Sequence, residues 1–423
     1  MSATTSAPAR ARVSGRARGL GRWRRRRATA TTATATATGV DGRVDDALDW
    51  THTTVMKFGG SSLADAARVR EVGAIVRSFP EETPVVVLSA MGKTTNDLLR
   101  AGELALRCDG DHETIETMEP LVATYEKIQA RLAPRPGQGP AVRVVTGFLG
   151  RGIKTGAVCT LGRGGSDLTA TVIGKALGLE EVQVWKDVDG VLSADPREVS
   201  NTVPMPFLSF QEATELAYFG AQVLHPHSMR PAMDSGKLAV RVKNSYNIRA
   251  PGTVIGHKRA EDLHKDWLLT SIVRKKNVTM LDITSTRMLG QYGFLAKVFN
   301  IMATNGISVD VVATSEVSVS LTLDPSKLWE RDLAKEELEK LKLDFENDGI
   351  ANVAVSSGHS IISLIGNVER NNEIMERAFR ALGSKDIKVK MVSQGASKTN
   401  ISLLVNDSQG ADAARAIHAE FFE

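Results

Sequence analysis

The chain has 423 residues, 42% hydrophobic and 24% charged, which suits two to four globular domains and excludes an intrinsically disordered polymer. No apolar run nears the roughly 18 residues that cross a bilayer, and two cysteines, Cys108 and Cys159, cannot staple a secreted disulfide scaffold. The net charge of +4 misleads: residues 1–40 hold nine arginines and no acid, and without those nine the remainder stands at −5.

The first segment is Arg-rich and acid-free, then passes into the Ala/Thr run of residues 28–38, which is how organelle transit peptides read. By charge alone it would also serve as a basic arm for nucleic acid or an anionic membrane. Residues 1–50 are set apart from the fold on this ground. The body opens with a strand, Val55-Met56-Lys57-Phe58, then Gly59-Gly60-Ser61-Ser62, then a helical pattern through Val69, Val72, Ile75 and Val76. Val85-Val86-Val87-Leu88-Ser89 is a β-branched run of the kind buried in a parallel sheet.

A helical pattern follows Asn96, and a longer amphipathic stretch runs from about 112 to 132, closed by the Pro/Gly segment 133–140. Next come a strand over Val142–Thr146, a glycine-rich region, a helix over 167–177, a strand over Val182–Trp185 and a helix near 210–223. Strands alternating with helices predict an α/β sheet with ligands at the carboxyl ends of its strands.

From about residue 268 the texture changes. Phe299, Ile307, Val309 and Val312 recur as Phe379, Ile387, Val389 and Val392, a spacing of 80 residues. Each copy reads as strand, loop, helix and two β-rich runs, with Val317–Leu323 alternating as a half-buried antiparallel strand should. A charged helical segment, roughly 327–343, separates the copies. A repeat of this size invites side-by-side packing or dimerisation.

Phosphate chemistry needs backbone N–H groups at a glycine turn, often opening a helix, with fixed cations beside it. Lys57-Phe58-Gly59-Gly60-Ser61-Ser62 offers this directly after a strand, and Leu161-Gly162-Arg163-Gly164-Gly165-Ser166-Asp167 offers it again before a helix. Either turn alone is as readily structural; two together point to an anionic substrate. Common nucleotide signatures fail: Gly92-Lys93-Thr94 lacks the first glycine of a P-loop, which falls on Val87, and Asp167 stands where a dinucleotide fingerprint closes on glycine. His225-Pro226-His227 has no partner at metal-ligand spacing and reads as structural, and both cysteines read as buried packing residues.

KFGGSS at 57–62, TGAVCTLGRGGSD at 155–167, VWKDVDGVLSADPR at 184–197 and FGAQVLHP at 219–226 resemble, in that order, the motifs of the aspartate kinases of the amino acid kinase family. MLGQYGFLAKVF, GISVDVVATSEVSVSLTLD and VSQGASKTNIS then resemble their regulatory ACT domains. The similarity covers about residues 54–422 and is nearest to the monofunctional, lysine-sensitive enzymes of plastids. It implies a three-layer α/β sandwich with a mainly parallel central sheet, followed by two ferredoxin-like βαββαβ ACT domains. The implied division is 1–50 transit peptide, 54–257 catalytic domain, 268–345 first ACT domain and 350–423 second, with interruption of one ACT unit by the other left open.

The activity implied is ATP-dependent phosphorylation of the β-carboxylate of L-aspartate, with Mg²⁺ bridging the phosphates, as the first step toward lysine, threonine and methionine. The resemblance assigns Lys57 to the transferring phosphoryl group and Gly59, Gly60 and Ser61 to phosphate oxygens. Arg163 would fork onto the α-carboxylate of aspartate, with Ser166 and Asp167 orienting it. Lys186, Asp187, Asp195 and Arg197 would line the nucleotide site; read alone, the 186–197 carboxylates also suit a solvated turn.

Met288, Phe294, Leu295, Ser308, Val309, Asp310, Thr314, Ser315 and Glu316 match the family's feedback positions, where a carboxylate such as Asp310 or Glu316 suits a ligand's ammonium group. L-lysine is the implied effector, with threonine or a second ligand also compatible. A homodimer through the ACT domains and a plastid location follow from the subgroup, although composition alone also permits a mitochondrion. No nucleic-acid or membrane partner is expected.

Two departures stand out. Gln222 and Leu192 occupy places where other relatives carry lysine and an aromatic residue. More important, the family's Ser-x-Gly-Glu motif, whose glutamate holds the substrate amino group, is absent: the chain passes from Arg131-Leu132 through the Pro/Gly stretch directly to Val142. A helix, a strand and a hairpin are expected there, so an internal segment near 132–141 reads as skipped. A catalytically impaired amino-acid sensor is the alternative that this absence favours.

Overall fold

A computed structural model describes residues 50–92, 94, 122–135, 137, 139–151, 156, 158–162, 164–221, 224–257, 267–285, 293–305, 307–315, 318–323, 340–345, 351–366, 368–394 and 397–423. These belong to one compact unit, Leu48–Glu423. The helix expected after Asn96, the first part of the 112–132 stretch and most of the 327–343 segment lie outside the described residues.

The amino-terminal part is built on a seven-stranded sheet. In chain order its strands are β1 (Val55–Phe58), β2 (Val85–Leu88), β3 (Arg143–Thr146), β6 (Glu181–Lys186), β9 (Phe207–Ser209), β10 (Ala239–Asn244) and β11 (Thr253–Gly256). They lie in the order β3-β2-β1-β6-β10-β11-β9, and every neighbouring pair is parallel except β10 with β11. Two short antiparallel pairs flank it, β4 (Leu149–Arg151) with β5 (Val158–Thr160) and β7 (Val191–Leu192) with β8 (Pro204–Met205).

Alternation along the strands explains the layers. Val55, Val85, Val87, Val182 and Val184 face one core, shared with α3 (Gly165–Ala176), α4 (Phe210–Tyr218) and α5 (Pro226–Ser235). Met56, Phe58, Val86 and Trp185 face the other, closed by Val72 and Ile75 of α1 (Ala66–Arg77). Helix α2 (Val122–Leu132) adds Leu132 to the first core. Helix α1 begins where the Asp65 carboxylate accepts the amides of Ala67 and Arg68, and α4 where Ser209 and Glu212 form a capping box. Helix α4 stops at Tyr218, short of the expected 223, because Gly220 turns the chain with a φ of 104°.

The carboxyl-terminal part is a six-stranded antiparallel sheet ordered β13-β14-β12-β15-β17-β16. Its strands are β12 (Leu269–Thr284), β13 (Val309–Thr314), β14 (Ser318–Leu323), β15 (Asn352–Gly366), β16 (Met391–Ser393) and β17 (Asn400–Asn406). Helices α6 (Phe294–Thr304), α7 (Asn371–Gly383) and α8 (Asp407–Phe422) complete it. The 80-residue repeat is visible in the packing: Ile307 and Ile387 are buried, while Phe299 and Phe379 are each 40% exposed on their helices.

Strands β12 and β15 are long and serve two cores. Leu281 and Ile283 pack with α6, whereas Leu269 and Ile272 pack with α7 and α8. The change of core falls where β12 is irregular, between Lys275 and Met280, with Asn277 at φ 55°, and Gly358 of β15 sits at φ 80° beside it.

Candidate active site

The sheet sends the carboxyl ends of β1, β2, β6 and β10 to one rim, and the amino terminus of α3 arrives there. Lys57 on β1 is buried, and its Nζ meets Asp167 Oδ1 in the first turn of α3 at 2.5 Å. Ser89, just past β2, donates to Ser166 Oγ at 2.7 Å. Helix α3 can come this close because Gly147 has no side chain: a Cβ there would lie 2.7 Å from the Ser166 Cβ.

The first glycine turn follows β1. A Cβ on Gly60 would fall 2.7 Å from the Gly92 carbonyl oxygen, so only glycine fits, while Gly59 lies beside the Lys57 ammonium. Ser61 is exposed and opens a short 3₁₀ turn. At the second turn Gly162 and Gly164 take φ values of 71° and 73°, and a Cβ on Gly164 would collide with His225 at 2.4 Å. Arg163 between them lies outside the described residues.

Lys186 ends β6 beside this pair. Burial depresses its pKa; Asp167 opposes that shift and the Lys57 ammonium adds to it. Asp187 follows, exposed. The rim therefore gathers Lys57, Lys186 and the α3 amino terminus around Asp167, an arrangement in which an arriving anion relieves repulsion between the two ammonium groups.

Asp195 and Arg197 lie farther along, in the loop after β7. They pair with one another: Arg197 Nε and Nη2 donate to the two Asp195 oxygens at 3.0 and 2.8 Å, and the Arg197 amide donates to Asp195 Oδ1 at 3.0 Å. The Arg197 hydrogen bond holds the Asp195 carboxyl below its ordinary range.

Sequence reasoning missed the floor of this rim. Ser245, after β10, donates to the Lys186 carbonyl at 2.9 Å and lies 3.2 Å from Ser62 Oγ, and Asn244 and Asn247 both donate to Asp189 Oδ1, at 2.8 and 3.1 Å. The alternation Val240-Arg241-Val242-Lys243-Asn244 was the available signal, since it marks a strand whose carboxyl end must fall here.

Of the expected effector residues, Met288 and Glu316 lie outside the described residues. Phe294 is buried at the start of α6, with Leu295 exposed beside it. Ser308 precedes β13, and Val309, Asp310 and Thr314 lie on it. Ser315 follows, its Oγ 2.7 Å from that of Ser318. The fully buried Asp310 side chain takes the Lys275 ammonium at 2.5 Å. Asp310 also borders a cavity of about 440 Å³ between α4 and the antiparallel sheet, lined further by Glu215, Tyr218, Val312, Ser393 and Asn400.

A mainly parallel sheet with two glycine turns and a cation pair at its carboxyl rim is suited to an anionic, phosphate-bearing ligand. The amino acid kinase family profile matches residues 52–134 and 123–244, and an ACT-domain profile matches 362–421. Aspartokinase 1, chloroplastic, of Arabidopsis thaliana is 48% identical, covering 88% of this chain and 80% of that protein. Among solved structures, Escherichia coli aspartokinase III superposes with a TM-score of 0.69 in its complex with aspartate and ADP (R-state) and 0.68 in that with lysine and aspartate (T-state). The identities are 28% and 27%, each over 88% of this chain and 100% of the other. The chain belongs to the aspartokinase family.

Proposed function

We propose that this chain transfers the γ-phosphoryl group of ATP to the β-carboxylate of L-aspartate, the observation that carries it being the Lys57–Asp167 pair at the strand rim. The acceptor is already an anion at neutral pH, so no general base is needed. What the reaction demands is positive charge where two anions meet. Lys57 supplies it at the transferring group, and the turn at Gly59, Gly60 and Ser61 offers its amides to phosphate oxygens. Arg163 forks onto the α-carboxylate, while Ser166 and Asp167 orient the substrate.

Lys186, Asp187, Asp195 and Arg197 face the nucleotide. Mg²⁺ is held chiefly by phosphates with one or two protein carboxylates, and Asp187, exposed beside Lys186, is a carboxylate suited to that role. When bound, the ion supplies further charge neutralisation at the phosphates.

The same reading extends to control and destination. L-lysine is the proposed effector, received at the β13 and α6 positions of an ACT-paired homodimer. The first ACT unit is proposed to be the inner one, interrupting the second, since residues 269–275 pair with 361–366 of the outer core. Residues 1–50 act as a plastid transit peptide, in keeping with the chloroplastic relatives.

The lost Ser-x-Gly-Glu segment belongs to this proposal as well. The match to the Arabidopsis relative runs over 463 residues, whereas 88% of this chain is about 370, so about 90 positions there face no residue here. The family profile matches in two overlapping pieces that meet at this point. The strand after it, β3, is an edge of the described sheet, with Val144 65% exposed and Val142, just before the strand, 49% exposed, as an uncovered neighbour would be. The assembled rim favours an enzyme over a silent sensor.

The test is acyl-phosphate formation, trapped as hydroxamate, by residues 51–423 with ATP, Mg²⁺ and L-aspartate, with and without lysine. Aspartate-dependent product suppressed by lysine is the expected result. No product from a cooperatively folded sample, restored when the missing segment is supplied, would assign the loss to that segment. No product in either form would sink the reading.

A further inference from the structure

The loop from Val191 to Val203, which carries Asp195 and Arg197, is held from outside its own domain. The Ser193 carbonyl accepts the Ile272 amide of β12 at 2.7 Å, and Ser271 Oγ donates to the carbonyls of Leu192 and Ser193 at 3.1 Å each. Glu198 receives Arg274 at 3.3 Å and Lys276 at 2.5 Å, both from β12. Helix α8 adds Arg415, donating to the Glu198 carbonyl at 3.1 Å, and Asn201 donates to Glu423 at 3.2 Å.

At the centre sits a wholly buried contact: Ser193 Oγ lies 2.8 Å from His418 Nε2, both residues 0% exposed. The Val203 amide donates to Ser193 Oγ at 2.8 Å, and the Ser193 amide donates to the Val203 carbonyl at 2.9 Å. The serine oxygen therefore accepts one hydrogen bond already, and its hydrogen and second lone pair are both available to His418 Nε2, whichever tautomer the ring takes. On the other side of the ring, His418 Nδ1 lies 3.8 Å from Glu423 Oε1. Burial depresses the imidazole pKa, which favours the neutral ring.

Phe422 stacks on the ring at a centroid distance of 4.8 Å. Helix α8 is fixed in turn by Arg274, which reaches Asp407 at 3.4 Å and Ser360 at 3.1 Å as well as Glu198. Gly410 permits that approach, since a Cβ there would stand 2.7 Å from Arg274 Nε.

We propose that His418 is a positioning residue for nucleotide binding: by hydrogen-bonding the Ser193 hydroxyl, it ties α8 of the regulatory sheet to the loop bearing Asp195 and Arg197. It touches no substrate; it acts through Ser193. Nucleotide affinity thereby becomes sensitive to the seat of α8, and an effector that shifts this sheet reaches the nucleotide without a contact to it. The inference rests on the reading of Asp195 and Arg197 as nucleotide-facing.

The test uses the full chain and two variants, His418→Leu, which removes the hydrogen-bond partner, and His418→Gln, which keeps a polar atom at the same reach. ADP affinity with Mg²⁺ is measured by calorimetric titration, and backbone exchange by the Ser193 and Val203 amides. We expect His418→Leu to weaken ADP roughly tenfold and to speed exchange at both amides, with aspartate affinity unchanged and His418→Gln within about threefold of the parent. Exchange and ADP affinity unaltered in His418→Leu would overturn the proposal, and so would His418→Gln as impaired as His418→Leu. A parent chain that binds no ADP overturns the nucleotide reading, and the positioning role with it. A parent that binds ADP, beside an unaltered His418→Leu, overturns the positioning role alone.

Discussion

Lys57 and Asp167 come from different elements, a strand end and a helix start, and meet as a buried ion pair at 2.5 Å. Each is the other's counter-charge until a phosphate arrives, at which point the ammonium has two anions to serve. Lys57→Met should lower turnover roughly 10²- to 10³-fold, the usual cost of removing a preorganised charge from a transferring group. Steady-state kinetics check this, with a thermal melt to show that the fold survives.

The two glycines of the first turn should differ. On Gly60 an added Cβ would meet the Gly92 carbonyl oxygen at 2.7 Å and that of Ala90 at 3.3 Å, so Gly60→Ala must push the turn off the β2 loop. On Gly59 the nearest atom is Lys57 Nζ at 3.6 Å, an ordinary contact. Gly60→Ala is expected to lose roughly tenfold or more in kcat/KM, about 1.4 kcal/mol, and Gly59→Ala distinctly less. Equal losses would count against the carbonyl clash as the reason.

Acid should destabilise the fold early. His225, His359 and His418 all have pKa values lowered first by burial. Below about pH 6.5, the ordinary value, the unfolded chain takes up protons that the folded chain refuses. Stability is therefore full above that pH and falls as the pH drops toward the depressed values. Melting temperatures between pH 8 and 5.5 should show the decline, and His418→Gln should flatten it.

Strand β3 should make the chain sticky. Val144 stands exposed on this edge strand, with exposed Val142 just before it and Leu149 nearby, itself 48% exposed. Val144→Lys is expected to reduce concentration-dependent light scattering while leaving the melting temperature within a few degrees. Restoring the family's missing segment should reduce it further.

Much of the catalytic part was legible because its strands are short, β-branched and punctuated by glycine. The runs at 55–58 and 85–88, and the helix that follows Ser61-Ser62, fall where the pattern puts them. Strand β10 was overlooked despite its alternation, and what its Arg241 and Lys243 do was not legible at all. Their charges make sense only in three dimensions: Arg241 pairs with Glu181 on the next strand at 2.8 Å, and Lys243 lies 4.7 Å from the Trp185 ring. The same limit applied to the effector positions. Asp310 reads as a carboxylate awaiting an ammonium group, and the fold gives it Lys275, a partner that no local pattern could name.

The crossing of β12 and β15 dictates an order of events. Residues 269–275 leave the ribosome early, yet their partners, 361–366, follow only after all of α6, β13 and β14. The inner unit can close upon itself while the outer one waits with its first strand unpaired. Seams of this kind slow folding, because a long loop must be gathered before the pairing rewards it. No single cut therefore yields both units intact: a break anywhere between Asn277 and Gly358 strands one half of β12 from its sheet. A fragment beginning at Ala351 would lack the strand that completes its core, and truncation from the carboxyl end would unseat Leu269 and Ile272 before it touched the inner unit.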